Sequence, residues 1–245
     1  MVKSLVRGVF SLSLAVLLTA GAGSSLAASS FDTPATVAAR EKMVKEQIID
    51  RKIEDPRVIE AMKSVIRHQY VPDDRKADAY EDYPLAIGSG QTISQPYIVA
   101  YMSQLAKIQD TDKVLEVGSG SGYHGSVMAK LGKEVYSIEI VPELAERSKK
   151  VVADLGITNL TIRQGDGYFG WAEKGPFQAI VVTAAAEHVP PPLVQQLAEG
   201  GVMIIPVGHP FVTQMLVMVE KKDGKITSKE LMPVKFVPLT GNRPQ

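Results

Sequence analysis

The chain has 245 residues and no cysteine, which excludes disulfides, thiol nucleophiles and cysteine-ligated zinc. Only four histidines are present, so no metal site is expected. Net charge is missing as well: 27 Lys and Arg balance 27 Asp and Glu. No broad field therefore exists to recruit nucleic acid or an anionic membrane. Internal repeats and low-complexity stretches are absent. Chemistry in this chain must run on oxygen groups, backbone amides and a bound cofactor. What is present, 45% hydrophobic and 22% charged residues, suits one sizeable core and one catalytic domain with modest additions.

The N-terminus reads differently from the rest. Lys3 and Arg7 precede an apolar stretch from Val9 to Ala22, followed by Ser25-Leu26-Ala27 before Ala28. This is the pattern of a signal peptide with a small-x-Ala cleavage site. It predicts removal of residues 1–27, a mature chain 28–245 without a membrane segment, and a periplasmic or secreted protein. The alternatives are an uncleaved anchor, or an amphipathic helix on a cytoplasmic protein.

From Thr36 to Ile53, Val44, Ile48 and Ile49 stand at helical spacing. Asp55-Pro56 then supplies an N-cap and a first-turn proline for a second helix with Val58, Met62, Val65 and Ile66 on one face. The polar stretch 73–83 reads as a loop or short helix, and 87–97 as a loop. Residues 28–110 thus form a helical cap and substrate loop. After Asp110, short apolar runs alternate with helical segments: 113–117, 134–140, 160–163, 177–183 and 201–207. Such alternation predicts βαβ units and a mostly parallel central sheet with helices on both faces. Residues 215–220 and 225–237, around Asp223-Gly224, add an antiparallel hairpin. Residues 28–245 thus make a single α/β, Rossmann-like domain, in which 111–245 supply the cofactor-binding sheet and the C-terminal hairpin.

The strand Val114-Leu115-Glu116-Val117 runs into Gly118-Ser119-Gly120-Ser121-Gly122, at the strand end where open α/β sheets bind ligands. A dinucleotide fingerprint needs glycine at 123, and Tyr123 is there instead. A dehydrogenase is accordingly a poor fit. The acidic residue followed by alternating glycines resembles the first motif of class I S-adenosylmethionine-dependent methyltransferases. Glu139, about 20 residues beyond the glycines, can accept from both ribose hydroxyls; burial inside an otherwise apolar run argues against a merely solvated charge. Gly165-Asp166-Gly167 is a turn by itself. After the third strand, Asp166 can accept from an amino group while its glycine neighbours leave room for a flat ring, and the resemblance to class I methyltransferases implies that this ring is the adenine. Thr183-Ala184-Ala185-Ala186 ends the fourth strand, either lining the transfer site or simply packing a tight turn. Pro190-Pro191-Pro192 then starts a helix.

Ser94, next to Pro96, reads bottom-up as a helix N-cap before it reads as a catalytic group. The surrounding segment changes the balance. Gly90-Gln91-Thr92-Ile93-Ser94-Gln95-Pro96-Tyr97 resembles the signature of protein-L-isoaspartate O-methyltransferases. Further matches follow in order: 62–72, Glu-Val-Gly-Ser-Gly-Ser-Gly-Tyr at 116–123, Gly165-Asp166-Gly167, Val182-Thr183-Ala184-Ala185, Pro206-Val207-Gly208, and Phe236-Val237-Pro238-Leu239-Thr240. The resemblance spans nearly the whole mature chain. Ile66, where a proline is common, and Gln95 and Tyr97, at variable positions, depart from it and bear on substrate preference.

The resemblance implies a class I methyltransferase fold and methyl transfer from S-adenosylmethionine to the α-carboxylate of L-isoaspartyl residues in damaged proteins, with D-aspartyl residues left open as a second acceptor. It gives Ser94 the active-site place, with Thr92, Ile93, Gln95 and Thr183 around it. Cofactor places fall to Glu116, Gly118, Ser119, Gly120, Glu139, Asp166, Gly167 and Thr240. Substrate peptides are expected to lie along 87–97 and the Pro206-Val207-Gly208 turn, on a monomer. The rivals are a methyltransferase of another carboxylic acid and an exported cofactor-binding protein without turnover.

Overall fold

A computed structural model describes residue 1, residues 31–209 and residues 212–241. Apart from Met1, the signal-like segment lies outside the described residues. Helix α1 (Pro34–Met43) opens with a capping box in which the Thr33 and Thr36 side chains each accept from the other's backbone amide. It continues as a wider π-type turn over Val44–Ile49. Asp55 caps α2 (Pro56–Ser64) by accepting from the Arg57 amide, with Pro56 in the first turn as read from the sequence. The helix stops at Ser64, so Val65 and Ile66 lie beyond its last turn. Tight 3-10 turns follow at Arg67–Tyr70 and Asp73–Asp78.

The cap also contains a hairpin, where the sequence suggested only loop. Strands β1 (Leu85–Gly88) and β2 (Gln91–Ile93) pair antiparallel around Ser89-Gly90. Both turn residues have positive φ, 52° and 71°, the backbone that matches a two-residue turn to strand twist. Leu85, Ile87 and Ile93 point into the core, so alternation, hidden by the polar and glycine content, selects the strands. Helix α3 (Pro96–Leu105) follows.

The central sheet has seven strands: β3 (Lys113–Val117), β4 (Glu134–Glu139), β5 (Leu160–Gln164), β6 (Phe177–Val182), β7 (Leu197–Val207), β8 (Gln214–Lys222) and β9 (Lys225–Val234). Their order is β5-β4-β3-β6-β7-β8-β9. The first five are mutually parallel, while β8 and β9 add antiparallel at the edge. Asp223-Gly224 forms the turn, with φ of 52° and 71°. Strand β9 ends at Val234, three residues short of the expected run, and the chain then crosses to bridge Pro238 to Ala185.

Alternation along the strands divides the core in two. Val114, Val135, Ala179 and Val181 pack against the cap, α3, α4 (Tyr123–Ala129) and α5 (Pro142–Asp154). Leu115, Val117, Ile138, Ile180 and Val182 face the other side, with Phe177, Leu193 and Leu239. That second face is covered by the six-residue α6 (Pro191–Gln196) and by 3-10 turns at Gly167–Phe169 and Ala172–Lys174. Helical cover is thus unequal. The reversal of strand order at β3 and β6 opens a crevice at their carboxyl ends, where such sheets take ligands.

Candidate active site

The turn after β3 is built by glycine conformation. Gly118, Gly120 and Gly122 all have positive φ, at 98°, 53° and 86°. A Cβ on Gly118 would also run into Thr183 Oγ1. Thr183, at the end of β6, donates its hydroxyl to the carbonyls of Gly118 at 2.6 Å and Val117 at 3.0 Å. That side chain therefore clamps the turn between two strand ends. Opposite it, Glu139 is only 5% exposed, and its carboxylate accepts from Gly120 N at 2.7 Å and Val141 N at 2.9 Å. A buried carboxylate needs such partners, and the two amides aim it at the crevice beside the turn.

Three cavities meet here. A narrow one of about 50 Å³ follows the glycine turn and is lined by Gly118, Gly120, Glu139, Gly167, Thr183 and Thr240, among others. An open cleft of about 720 Å³ lies beside it, between residues 84–98 and 232–240. A third, of about 30 Å³, sits under the turn between Ile93, Ser94, Glu116 and Ser119. Thr92 and Thr183 line all three. The junction of the narrow and wide clefts is therefore the point where two ligands can touch.

Ser94 lines the wide cleft and the small cavity. Its hydroxyl is not a helix cap: the N-cap of α3 is Gln95, and no side chain caps that end. Among the described residues, the Ser94 hydroxyl has no hydrogen-bond partner, so it is available to a ligand. Gln95 also faces the wide cleft, with its amide held by the Asp82 carboxylate at 2.9 Å and the Asp82 carbonyl at 3.0 Å. The start of α3 carries the positive end of the helix dipole to this wall.

Three expected cofactor residues stand elsewhere than on the surface of the narrow and wide clefts: Ser119, buried and lining only the small cavity under the turn, Glu116 and Asp166. Glu116 is fully buried, turned towards α4, with Oε2 accepting from Ser137 Oγ at 2.5 Å and Oε1 without a partner. Burial first, opposed by the Ser137 hydrogen bond and reinforced by the Glu139 charge, pushes its carboxyl up to about 8. It underlies the turn, because its place on β3 puts the side chain on the helix-covered face. Asp166 lines none of the three cavities; it accepts from Tyr168 N at 2.9 Å, starting the turn Gly167–Phe169, and Gly241 packs over its carboxylate. Gly167 does line the narrow cleft, and a Cβ there would collide with Val117.

The wall opposite Ser94 is Met232 to Pro238, with Thr213 and Thr240, rather than the expected Pro206-Val207-Gly208. Pro206 and Val207 belong to β7, where Val207 pairs with Met215 and bridges Ala186, and Gly208 follows the strand end with its amide donating to the Ala186 carbonyl. Ala184 lines the narrow cleft, while Ala185 and Ala186 are buried in bridges to Pro238 and Val207. His124 lines the small cavity with Ser94; burial pushes its pKa down to about 3, so it is neutral beside Ser103 Oγ at 3.0 Å. Among the described residues, no group of three or more His, Asp and Glu could hold a metal ion.

Arg67 escaped the sequence reading. Its side chain is fully buried and Nη2 donates to the Ser94 carbonyl at 2.7 Å. The only signal was an arginine within the 62–72 stretch of the family resemblance, which by itself suggests a surface charge.

Residues 38–244 match the family described as protein-L-isoaspartate(D-aspartate) O-methyltransferase. The chain is 53% identical over 205 residues to the protein-L-isoaspartate O-methyltransferase of Opitutus terrae, covering 84% of this chain and 88% of that one. It is 50% identical over 236 residues to protein-L-isoaspartate O-methyltransferase 2 of Syntrophobacter fumaroxidans, covering 92% and 94%. A crystal structure of a protein-L-isoaspartate O-methyltransferase from Plasmodium falciparum with S-adenosyl-L-homocysteine superposes with a TM-score of 0.73, at 31% identity, over 83% of this chain and 99% of that one.

Proposed function

Because the chain belongs to the protein-L-isoaspartate(D-aspartate) O-methyltransferase family, we propose a division of labour between its two clefts: the narrow one for the methyl donor, the wide one for the damaged peptide. The protein is an S-adenosylmethionine-dependent repair enzyme. It esterifies the α-carboxylate of L-isoaspartyl residues in proteins and peptides. The ester closes to a succinimide, whose hydrolysis returns some normal aspartate.

Bound S-adenosylmethionine supplies an electrophilic methyl group. The residues around the narrow cleft fit such a ligand: a side-chain-free turn at Gly118 and Gly120 for close backbone approach, the Glu139 carboxylate for ribose hydroxyls, and flat Gly167 for a ring. Thr183 and Thr240 complete its walls. Ser119 and Glu116 support the turn from below.

An acceptor carboxylate with a pKa near about 4 is ionised at neutral pH, so no strong base is required. Orientation matters more, and it can lower such a barrier by about 7–11 kcal/mol. Ser94 donates to one carboxylate oxygen and turns the other towards the donor, while the α3 N-terminus favours the negative charge. Thr92 and Gln95 shape the wall that holds it, with Ile93 packed in the core behind them. The observation that carries this reading is the unpaired Ser94 hydroxyl on the wide cleft, two residues from Thr92, which with Thr183 also lines the narrow one.

Replacing Ser94 with Ala should leave S-adenosylhomocysteine affinity within about threefold and lower kcat about tenfold or more, the scale of one hydrogen bond to a charged group. Calorimetry and transfer of labelled methyl to an isoaspartyl peptide, beside its aspartyl twin, measure both. Lost cofactor binding without a separate rate loss would refute the role. The pattern at residues 1–27 supports export, as a periplasmic or secreted mature enzyme, and the balance of 27 basic and 27 acidic residues supports an enzyme without nucleic-acid or membrane partners, proposed here as a monomer. Among the described residues no helix is long and apolar enough to cross a membrane. Sequencing the N-terminus of the native protein tests this; Met1 in place of Ala28 would refute cleavage.

A further inference from the structure

Arg67 is among the largest fully buried side chains in the molecule. Its Nε donates to the Ala79 carbonyl and its Nη2 to the Ser94 carbonyl, both at 2.7 Å. The guanidinium carbon lies 4.7 Å from the centroid of the Tyr123 ring, and Tyr123 is the first residue of α4, directly after the glycine turn. One planar group thus ties together the cap, the acceptor wall and the cofactor turn.

The charge is the unusual part. Among the described residues Arg67 has no ion pair, and Nη1 has no partner. A guanidinium remains protonated even when buried, and a buried charge without a counter-ion is costly. Two carbonyls and an aromatic face offset some of that cost. If the task were only to clip three segments together, a neutral side chain would do it without that penalty. An uncompensated cation one carbonyl behind Ser94 becomes useful when an anion arrives in front of it.

We propose that Arg67 is a positioning residue of the methyl-acceptor site, holding Ser94 by its carbonyl and providing the buried positive charge that favours the acceptor carboxylate. The inference rests on the reading of Ser94 as the acceptor site. Arg67 lines none of the three cavities, so it acts through Ser94 and the local field rather than by touching substrate.

The test compares Arg67→Gln, Arg67→Lys and Ser94→Ala in the full chain, each scored per active site by S-adenosylhomocysteine titration. Arg67→Gln removes the charge; KM for the isoaspartyl peptide should rise about tenfold or more, the scale of losing the charge-assisted hydrogen bond that holds the Ser94 carbonyl, with S-adenosylhomocysteine affinity within about threefold. Arg67→Lys keeps the charge but not the fork that serves two carbonyls. Its KM should therefore stay within about threefold while kcat falls about fivefold or more. Where Arg67→Gln does not fold, Arg67→Lys alone decides. Unchanged kcat and KM in folded Arg67→Lys, with only a lower melting temperature, overturns the proposal. Equal losses of KM and cofactor affinity in Arg67→Gln also overturn it, since they indicate general loosening. If instead Ser94→Ala leaves kcat and KM intact, the acceptor-site reading itself fails; if Ser94→Ala is impaired and the Arg67 variants are not, only this inference does.

Discussion

Replacing Glu116 with Gln should make the protein more stable at pH 8 than at pH 5 relative to wild type. The carboxyl of Glu116 is fully buried, with one oxygen on Ser137 Oγ and the other unpaired, and its pKa is raised from 4.5 to about 8. Below pH 4.5 the folded and unfolded chains both hold this proton, so the residue adds no pH dependence. Between pH 4.5 and 8 the unfolded chain releases it and the folded chain does not, so stability falls as pH rises. Each pH unit is worth about 1.4 kcal/mol, which over that window reaches an upper bound of about 5 kcal/mol; structural relaxation will reduce this to a few. Above pH 8 the loss is complete and constant. Glutamine retains an oxygen for Ser137 but buries two amide hydrogens, an offset of about 1–3 kcal/mol that does not vary with pH. The difference in unfolding free energy, variant minus wild type, should therefore climb by at least about 2 kcal/mol between pH 5 and 8 in urea titrations. Other titrating groups cancel in that difference. A difference flat to within about 0.5 kcal/mol would refute a protonated Glu116, on the same linkage argument.

Two predictions concern the donor cleft. Glu139→Ala leaves the amides of Gly120 and Val141 without their carboxylate and should weaken S-adenosylhomocysteine binding by about 10–100-fold, from the lost charged hydrogen bonds; calorimetry reads it, and unchanged affinity counts against a ribose role. Gly118→Ala combines a φ of 98° with a collision at Thr183. It should cost about 1–3 kcal/mol of stability together with cofactor affinity, and a variant with wild-type unfolding would show that the turn tolerates a side chain.

Much of the architecture was legible along the chain because parallel strands buried on both faces read as short apolar runs. Strand β3 spans the expected residues, and the proline-led starts of α2 and α6 are where local chemistry puts them. The hairpin β1–β2 was not legible, because Gly88, Ser89 and Gly90 obscure its alternation and its strands are only four and three residues long. The early end of β9 depends on the bridge between Pro238 and Ala185, a contact between distant segments that has no local sign.

The site divides in the same way. Sequence by itself determined the glycine turn, Glu139 at the end of β4 and the protein-L-isoaspartate O-methyltransferase signature around Ser94, since backbone conformation and strand ends are set by near neighbours. Tertiary structure alone decided that Ser94 caps nothing, that Glu116 lies beneath the turn, that Asp166 faces Gly241, and that Met232 to Pro238 form the far wall of the cleft. It alone brought Arg67 against the Ser94 carbonyl, 27 residues away in the chain. Burial and hydrogen-bond partners are properties of packed segments, and no residue carries them until the segments meet.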